Sequence, residues 1–317
     1  WTAFDGTSWV YKAQISGAPS AANYGACFKV TVGCITIGSD MVIFQGAGVA
    51  PQKITKPTTN FTNLFMNWDT KVYWGGNYGN LAKSSGFSNS VTALTGGPFT
   101  AVANVYAFVC QGSSCARSFR NLNTDTLGYL QYSSDGGITW TNSNYSFSSA
   151  TSGSNIVDIK ALGSNIFVAS SGIEIVRSTD GGKTWTTLQT YTNVANTMLS
   201  CYQTKCLVVP YGSSSTGYYS SNSGSTWSST AATGVSNGRS LFCWGTTCLI
   251  AGNNTMLRKS TNFGTSWTTI TMPTGFNTLL SPNNATQISC VGAVCLIAGN
   301  DTVTGNGAIW RSSDYGS

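Results

Sequence analysis

Histidine is absent from the sequence, glutamate occurs once, at Glu174, and charged residues of all kinds make up 8% of the chain. Ordinary soluble domains carry about 25%. Without histidine, and without the two-residue knuckles of a thiolate site, the cysteines do not form a zinc ligand set. No metal or other cofactor is expected. No stretch keeps a helical periodicity, and none is apolar over the length a membrane-spanning helix needs. The net charge of +6 sets 16 basic against 10 acidic residues. The basic residues are scattered, with Arg117 and Arg120 the nearest approach to a cluster. Nucleic-acid binders concentrate positive charge, so nucleic acid is not an expected partner.

What the chain does hold is 14 Tyr, 14 Phe and 10 Trp among many Gly, Ser, Thr and Asn. That is not the composition of a disordered chain. Strand formers divided by small turn residues predict many short strands, and 317 residues suffice for a large core. Ten cysteines fall into five local pairs: Cys27/Cys34, Cys110/Cys115, Cys201/Cys206, Cys243/Cys248 and Cys290/Cys295. Even, local pairing favours disulfides in an oxidising compartment, and hence a secreted or cell-surface protein. A start at Trp1, without Met or an apolar leader, reads as a chain whose signal peptide has been removed or lies outside this numbering.

Four segments repeat one pattern: Ser133–Trp140 (SSDGGITW), Ser178–Trp185 (STDGGKTW), Ser220–Trp227 (SSNSGSTW) and Ser260–Trp267 (STNFGTSW). A fifth, SSDYGS, occupies Ser312–Ser317. The leading serines stand 45, 42, 40 and 52 residues apart. Asp135, Asp180 and Asp314 hold the acidic position, and Asn222 and Asn262 replace it. A short Asp or Asn side chain accepts hydrogen bonds from its own turn. Gly137, Gly182, Gly224, Gly264 and Gly316 permit backbone angles closed to other residues. Trp140, Trp185, Trp227 and Trp267 supply large apolar plates. The pattern resembles the Asp-box, or BNR, repeat of sialidase-like propellers. That resemblance implies a structural turn joining the two outer strands of a blade, away from the ligand face, and so argues against catalysis by these aspartates.

A second repeat precedes each box. It reads LFCWGTTCLIAGN around Cys243, ISCVGAVCLIAGN around Cys290, and LSCYQTKCLVVPYG from Leu199. Related segments are FVCQGSSC from Phe108, DIKALGSNIFVAS from Asp158, LFMNWDTKVYWGGN from Leu64 and VGCITIGSDMVIFQG from Val32. These seven hairpin-like units of about 45 residues predict an all-β, seven-bladed propeller of four-stranded blades in one domain spanning 1–317. Six or eight blades stay open, because the first three units diverge most. In a hairpin with a two-residue turn, a C-x4-C pair falls one pair outward from the turn, within disulfide reach. Such bridges are expected to lock the hairpin tips. Met66/Lys71 and Ala161/Ile166 are expected at those places in the unstapled units.

Trp1-Thr2 matches the Trp-Thr pair found in three of the full boxes, as in Trp140-Thr141. Residues 1–10 are therefore expected to supply the outer strand of the last blade, either of the same chain or of a neighbouring copy, with a truncated chain as a third reading. Catalysis finds little support. Most glycosidases need two carboxylates, and outside the boxes there are Glu174, Asp5, Asp40, Asp69, Asp125, Asp158 and Asp301. Ile173 and Ile175 flank Glu174 as on a strand with one wet face; Asp125 is the acid–base partner considered for it. The sialidase resemblance would demand three clamping arginines, yet Arg177, Arg258 and Arg311 stand at repeat positions. Trp68, Trp74, Trp244 and Trp310 are candidate sugar platforms. Asn60, Asn144, Asn253, Asn284 and Asn300 head N-x-S/T acceptor sequences. The expected function is a non-enzymatic extracellular structural protein, a repeating subunit of a surface appendage, filament or layer whose partner is itself. A carbohydrate-binding or adhesive propeller, with glycans as partner, is the alternative; a glycoside hydrolase comes third.

Overall fold

The computed structural model describes residues 10–14, 24–27, 34–37, 41–44, 52–54, 61–66, 71–76, 81–85, 92–94, 103–121, 128–147, 158–163, 165–172, 174–190, 197–210, 216–230, 233–235, 238, 240–252, 256–271, 276–277, 287–301 and 307–315. Among the described residues there is no helix, and the strands form seven antiparallel sheets. After β1 (Val10–Gln14), the first sheet runs β2 (Tyr24–Cys27), β3 (Cys34–Ile37), β4 (Met41–Phe44), β5 (Gln52–Ile54). The second runs β6 (Phe61–Met66), β7 (Lys71–Gly76), β8 (Leu81–Ser85), β9 (Thr92–Leu94). The third runs β10 (Ala103–Gln111), β11 (Ser114–Asn121), β12 (Gly128–Ser133), β13 (Thr141–Phe147). The fourth runs β14 (Asp158–Ala161), β15 (Phe167–Ser170), β16 (Glu174–Ser178), β17 (Thr186–Thr190). The fifth runs β18 (Thr197–Tyr202), β19 (Lys205–Pro210), β20 (Tyr218–Ser220), β21 (Ser228–Ser229). The sixth runs β22 (Ser240–Trp244), β23 (Thr247–Ala251), β24 (Leu257–Ser260), β25 (Thr268–Ile270). In the seventh, β26 (Phe276–Asn277) and β27 (Gln287–Val291) both pair with β28 (Val294–Asp301), which pairs with β29 (Gly307–Ser312), and β1 lies outside β29.

The sheets fall into two compact units, one holding the second to fifth and the other the first, sixth and seventh. In the former, β10 packs on β6, β7 and β14, and β14 on β18; in the latter, β27 packs on β22 and β2. The first strands of neighbouring sheets thus meet within each unit. In the fourth, fifth and sixth sheets the strand next to the first is covered on both faces, which explains unbroken apolar runs such as FVAS in β15, where all four residues are buried. Outer strands instead read TTLQT and TTI and are largely exposed.

Four cysteine pairs form disulfides one pair outward from a two-residue turn: Cys110–Cys115, Cys201–Cys206, Cys243–Cys248 and Cys290–Cys295, with Cα atoms 4.0 to 4.1 Å apart. Cys243 faces Cys248 outside the pair Trp244 and Thr247, and the other three follow suit. The sequence led us to expect a lock at the tips, and the bridges do more, because both cysteines of three bridges and Cys206 of the fourth enter the core. Cys115, Cys206, Cys248 and Cys295, on the second strands of their sheets, are all 0% exposed. Cys110 and Cys115 pack with Phe108 and Trp140, and Cys290 and Cys295 join the layer that holds Ile297 and Trp310. The reason is the double cover of the second strand, which a reading of the isolated hairpin leaves out. These bridges indicate a non-reducing environment. Cys27 and Cys34 are also cross-strand partners, though their side chains lie outside the described residues.

The unstapled tips depart from expectation by one residue: Met66 faces Val72 rather than Lys71, and Ala161 faces Phe167 rather than Ile166. Each of these turns holds one residue more. In the fourth sheet Leu162 donates to the carbonyl of Ile166 (2.8 Å) and closes the longer loop. The segment from Val32, read as a first hairpin, instead spans the second and third strands of its sheet, and the first hairpin is β2–β3.

Val10 stands opposite Arg311 and Gln14 opposite Ala308 in the β1–β29 pair, with a register shift between Tyr11 and Ala13. Residues 1–9, including Trp1, lie outside the described residues, as do Gly316 and Ser317.

Candidate functional site

The recurring turn is the feature built most fully from its own side chains. Ser133 Oγ donates to Asp135 Oδ1 (2.6 Å) and accepts the backbone N–H of Gly137 (2.9 Å). Asp135 Oδ1 also accepts the N–H groups of Ile138 (3.0 Å) and Thr139 (2.9 Å), and Oδ2 accepts the Thr139 hydroxyl. The Trp140 indole N–H closes the turn on the Gly137 carbonyl at 2.9 Å. The Asp180 turn repeats this set with Ser178, Gly182, Thr184 and Trp185. In the fifth of these turns, Ser312 donates to Asp314.

Asparagine fits the same frame because a hydroxyl can change roles. Asn222 Oδ1 accepts from Ser220 Oγ (2.9 Å) and Thr226 N–H (3.0 Å), while its Nδ2 donates to Thr226 Oγ1 at 2.8 Å. Asn262 does the same with Ser260 and Ser266. The Ser133 hydroxyl first, then the Thr139 hydroxyl and N–H, hold the Asp135 carboxyl down at about 2. Burial pushes the Asp180 carboxyl up, but the hydroxyl and N–H of Thr184 and the Ser178 hydroxyl outweigh it, leaving the group below its ordinary range.

One position of the turn was not legible in the sequence. Gly136, Gly181, Ser223, Phe263 and Tyr315 share a left-handed backbone, with φ of 71°, 76°, 57°, 54° and 58°. Each donates its N–H to the carbonyl at the tip of its own sheet's first hairpin: Ser113 (2.8 Å), Asn165 (3.0 Å), Thr204 (2.7 Å), Thr246 (2.7 Å) and Ala293 (2.9 Å). The turn and the hairpin tip therefore share one end of each sheet and lock each other. The following glycine sits close to the preceding sheet. A Cβ on Gly224 would lie 2.6 Å from Val168 Cγ2, and one on Gly182 would lie 3.1 Å from Tyr132 Cβ. Trp185 stacks on Phe167 in the layer between the third and fourth sheets. Trp227 borders the layer between the fourth and fifth, where Cys206 is buried. Trp267 differs: its indole N–H is buried without a partner among the described residues.

The charged side chains are also used internally. Arg117, 1% exposed, lies 4.1 Å over the Trp140 ring and donates from Nε to Gln131 (2.8 Å). Burial lowers its guanidinium to about 9. Arg177 Nε donates to the Ser223 carbonyl in the next sheet's turn (2.8 Å), and Arg258 Nη1 to that of Thr233 (2.9 Å). Asp158 binds Lys160 Nζ at 2.7 Å and accepts the N–H of Leu199 at 3.4 Å, joining β14 to β18. Its burial raises the carboxyl above the ordinary range, with Lys160 opposing.

Glu174 is not on a wet face. It is 7% exposed, and its Oε2 accepts the Tyr145 hydroxyl (2.7 Å) and the Thr187 hydroxyl (3.1 Å). Tyr145 belongs to β13 of the neighbouring sheet, which covers the strand face that the sequence alone presents as open. Burial, foremost, pushes the Tyr145 phenol up to about 12. Asp125, Asp5, Asp40 and Asp69 lie outside the described residues, as does the side chain of Asp301. Among the described residues no group of three or more His, Cys, Asp or Glu is placed to hold a metal ion.

Of the tryptophans considered as sugar platforms, Trp310 is 1% exposed in the core layer between the sixth and seventh sheets. Trp244 is half-buried at a hairpin tip, and Trp68 and the Trp74 side chain lie outside the described residues. Among the acceptor sequences, Asn144 is exposed on β13. Asn60, Asn253, Asn284 and the Asn300 side chain lie outside the described residues.

No family model and no curated protein matches the chain. Solved structures do resemble it. The WD40 β-propeller domain of Doa1 matches with a TM-score of 0.67 at 10% identity, over 97% of this chain and 98% of that one. YCF48 bound to D1 peptide matches with a TM-score of 0.56 at 15% identity, over 96% and 87%. An ancestral GH74 enzyme matches with a TM-score of 0.60 at 15% identity, over 96% of this chain and 47% of the longer one. At such identities the likeness shows the fold, that of a β-propeller, and nothing of activity.

Proposed function

We propose that the chain is a seven-bladed Asp-box propeller, one blade per sheet in a single domain, and that it serves outside the cell as a non-enzymatic structural protein. In this reading it is a repeating subunit of a surface appendage, filament or layer, and its partner is a second copy. The observation that carries the non-enzymatic part is the employment of the carboxylates whose side chains are among the described residues. Asp135, Asp180 and Asp314 hold turns, Asp158 joins β14 to β18, and Glu174 joins β16 to β13 and β17. A catalytic pair needs one carboxyl free to move a proton and another to attack or activate water. The buried disulfides support a part that must persist in an oxidising setting.

Electron microscopy of native material tests the subunit reading: arrays of one repeating particle are expected, and isolated single particles would overturn it. Incubation with a glycan panel tests the other half. Binding without cleavage would favour an adhesive propeller. Cleavage abolished by Glu174→Gln or Asp158→Asn would replace the proposal with a glycosidase.

A further inference from the structure

We infer that Asn144 is a glycan attachment site whose sugar shields the outer edge of the third sheet. β13 is the last strand of that sheet, and its sequence TNSNYSF holds neither a charged residue nor proline, two of the usual guards of an exposed edge, which leaves a bulge as its guard. Its pairing with β12 is broken at one point: Gln131 faces Asn142, but Tyr129 faces Ser146, so β13 carries two residues more than β12 across the interval. The surplus forms a small turn. Ser143 Oγ accepts the N–H of Tyr145 (3.3 Å) and donates to the Tyr145 carbonyl (3.4 Å), which leaves Asn144 at the apex. The Asn144 N–H donates to the Lys183 carbonyl in the fourth sheet's turn (3.3 Å), and the Tyr145 hydroxyl is held by Glu174 and Thr187. Both flanks of the apex are thus fixed, while the Asn144 side chain faces solvent.

Asn144-Tyr145-Ser146 is an acceptor sequence. The donor would be a saccharide linked to a lipid phosphate. A bond forms between Asn144 Nδ2 and the anomeric carbon, the bond from that carbon to the phosphate oxygen breaks, the lipid phosphate leaves with the electron pair, and the amide nitrogen gives up one proton. A glycan there would extend from an exposed side chain on the last strand of the sheet. The inference is independent of whether the chain is a subunit.

Mass spectrometry of the full chain from its native source tests it. Tryptic cleavage after Arg120 and Lys160 yields a peptide of residues 121–160 holding this acceptor sequence and none of the other four. The expected result is a saccharide mass increment on Asn144, lost in Asn144→Gln and Ser146→Ala and kept in Ser146→Thr. An unmodified peptide in native material, or an increment that survives Asn144→Gln, would overturn it.

Discussion

Replacing Asp180 by Asn and by Ala separates the geometry of the turn from its charge. In the native turn Asp180 accepts from Ser178 Oγ at 2.8 Å, Thr184 N–H at 3.0 Å and Thr184 Oγ1 at 2.6 Å. Asn keeps the first two through Oδ1 and reverses the third, as Asn222 does with Thr226 at 2.8 Å. Asp180→Asn should therefore shift stability by no more than about 0.5 kcal/mol. Asp180→Ala loses all three bonds. Net values run at about 0.5–1.5 kcal/mol per bond, and partial exposure places these near the lower end. The expected loss is about 2 kcal/mol, or roughly thirtyfold in the ratio of folded to unfolded chains. Urea unfolding followed by tryptophan fluorescence reads this directly, since Trp185 closes the same turn. If Asn proves as damaging as Ala, or Ala as mild as Asn, the hydrogen-bond account of the turn is wrong.

The two left-handed positions should respond differently to alanine. Gly136 has open space at its Cβ, so Gly136→Ala should cost about 1–2 kcal/mol for the backbone alone. Gly224→Ala adds a 2.6 Å approach to Val168 and should cost clearly more in the same thermal melts. At the hairpin tip, Gln203 has φ of 54°, and Gln203→Gly should stabilise the fold by up to about 1 kcal/mol, read as a higher melting midpoint. Acid should unlock the third sheet's turn late. The Asp135 carboxyl is depressed to about 2, below its unfolded value, so its contribution is complete above the unfolded value and falls away as pH drops through about 2. Unfolding midpoints from pH 5 to 2 check this, and Asp135→Asn should flatten that part of the curve. Cutting the Cys243–Cys248 bridge by a double Cys→Ala change should cost about 2 kcal/mol from the short closed loop. Cys248, fully buried, should resist reductant until the fold opens, as thiol trapping would show.

The side chains of the repeat were legible because they act within their own turn. Serine, Asp or Asn, and Trp stand at fixed spacing, and each meets its partner within four residues. The fourth position hid in plain view. It is Gly, Ser, Phe or Tyr in different copies, and what it contributes is a backbone N–H and a left-handed φ. The stapled tips were legible because a five-residue separation closes over a two-residue turn; at Met66 and Ala161 no bridge constrains the turn, and one extra residue shifted the partner. The burial of Cys115 and Cys295 was not, since it comes from neighbouring sheets rather than from the hairpin that pairs them. Glu174 misled because alternation along β16 reports one sheet only. Its cover, Tyr145, comes from 29 residues away on another sheet. Contacts between sheets leave no local period to read.

An experimental structure of the purified chain at side-chain resolution tests the central claim most directly. Seven four-stranded blades are expected, the third to seventh each with its Ser-x-Asp/Asn turn bonded to its own hairpin tip, and with Val10–Gln14 lying along Gly307–Ser312. A different number of sheets, or turns detached from the tips, would contradict the account.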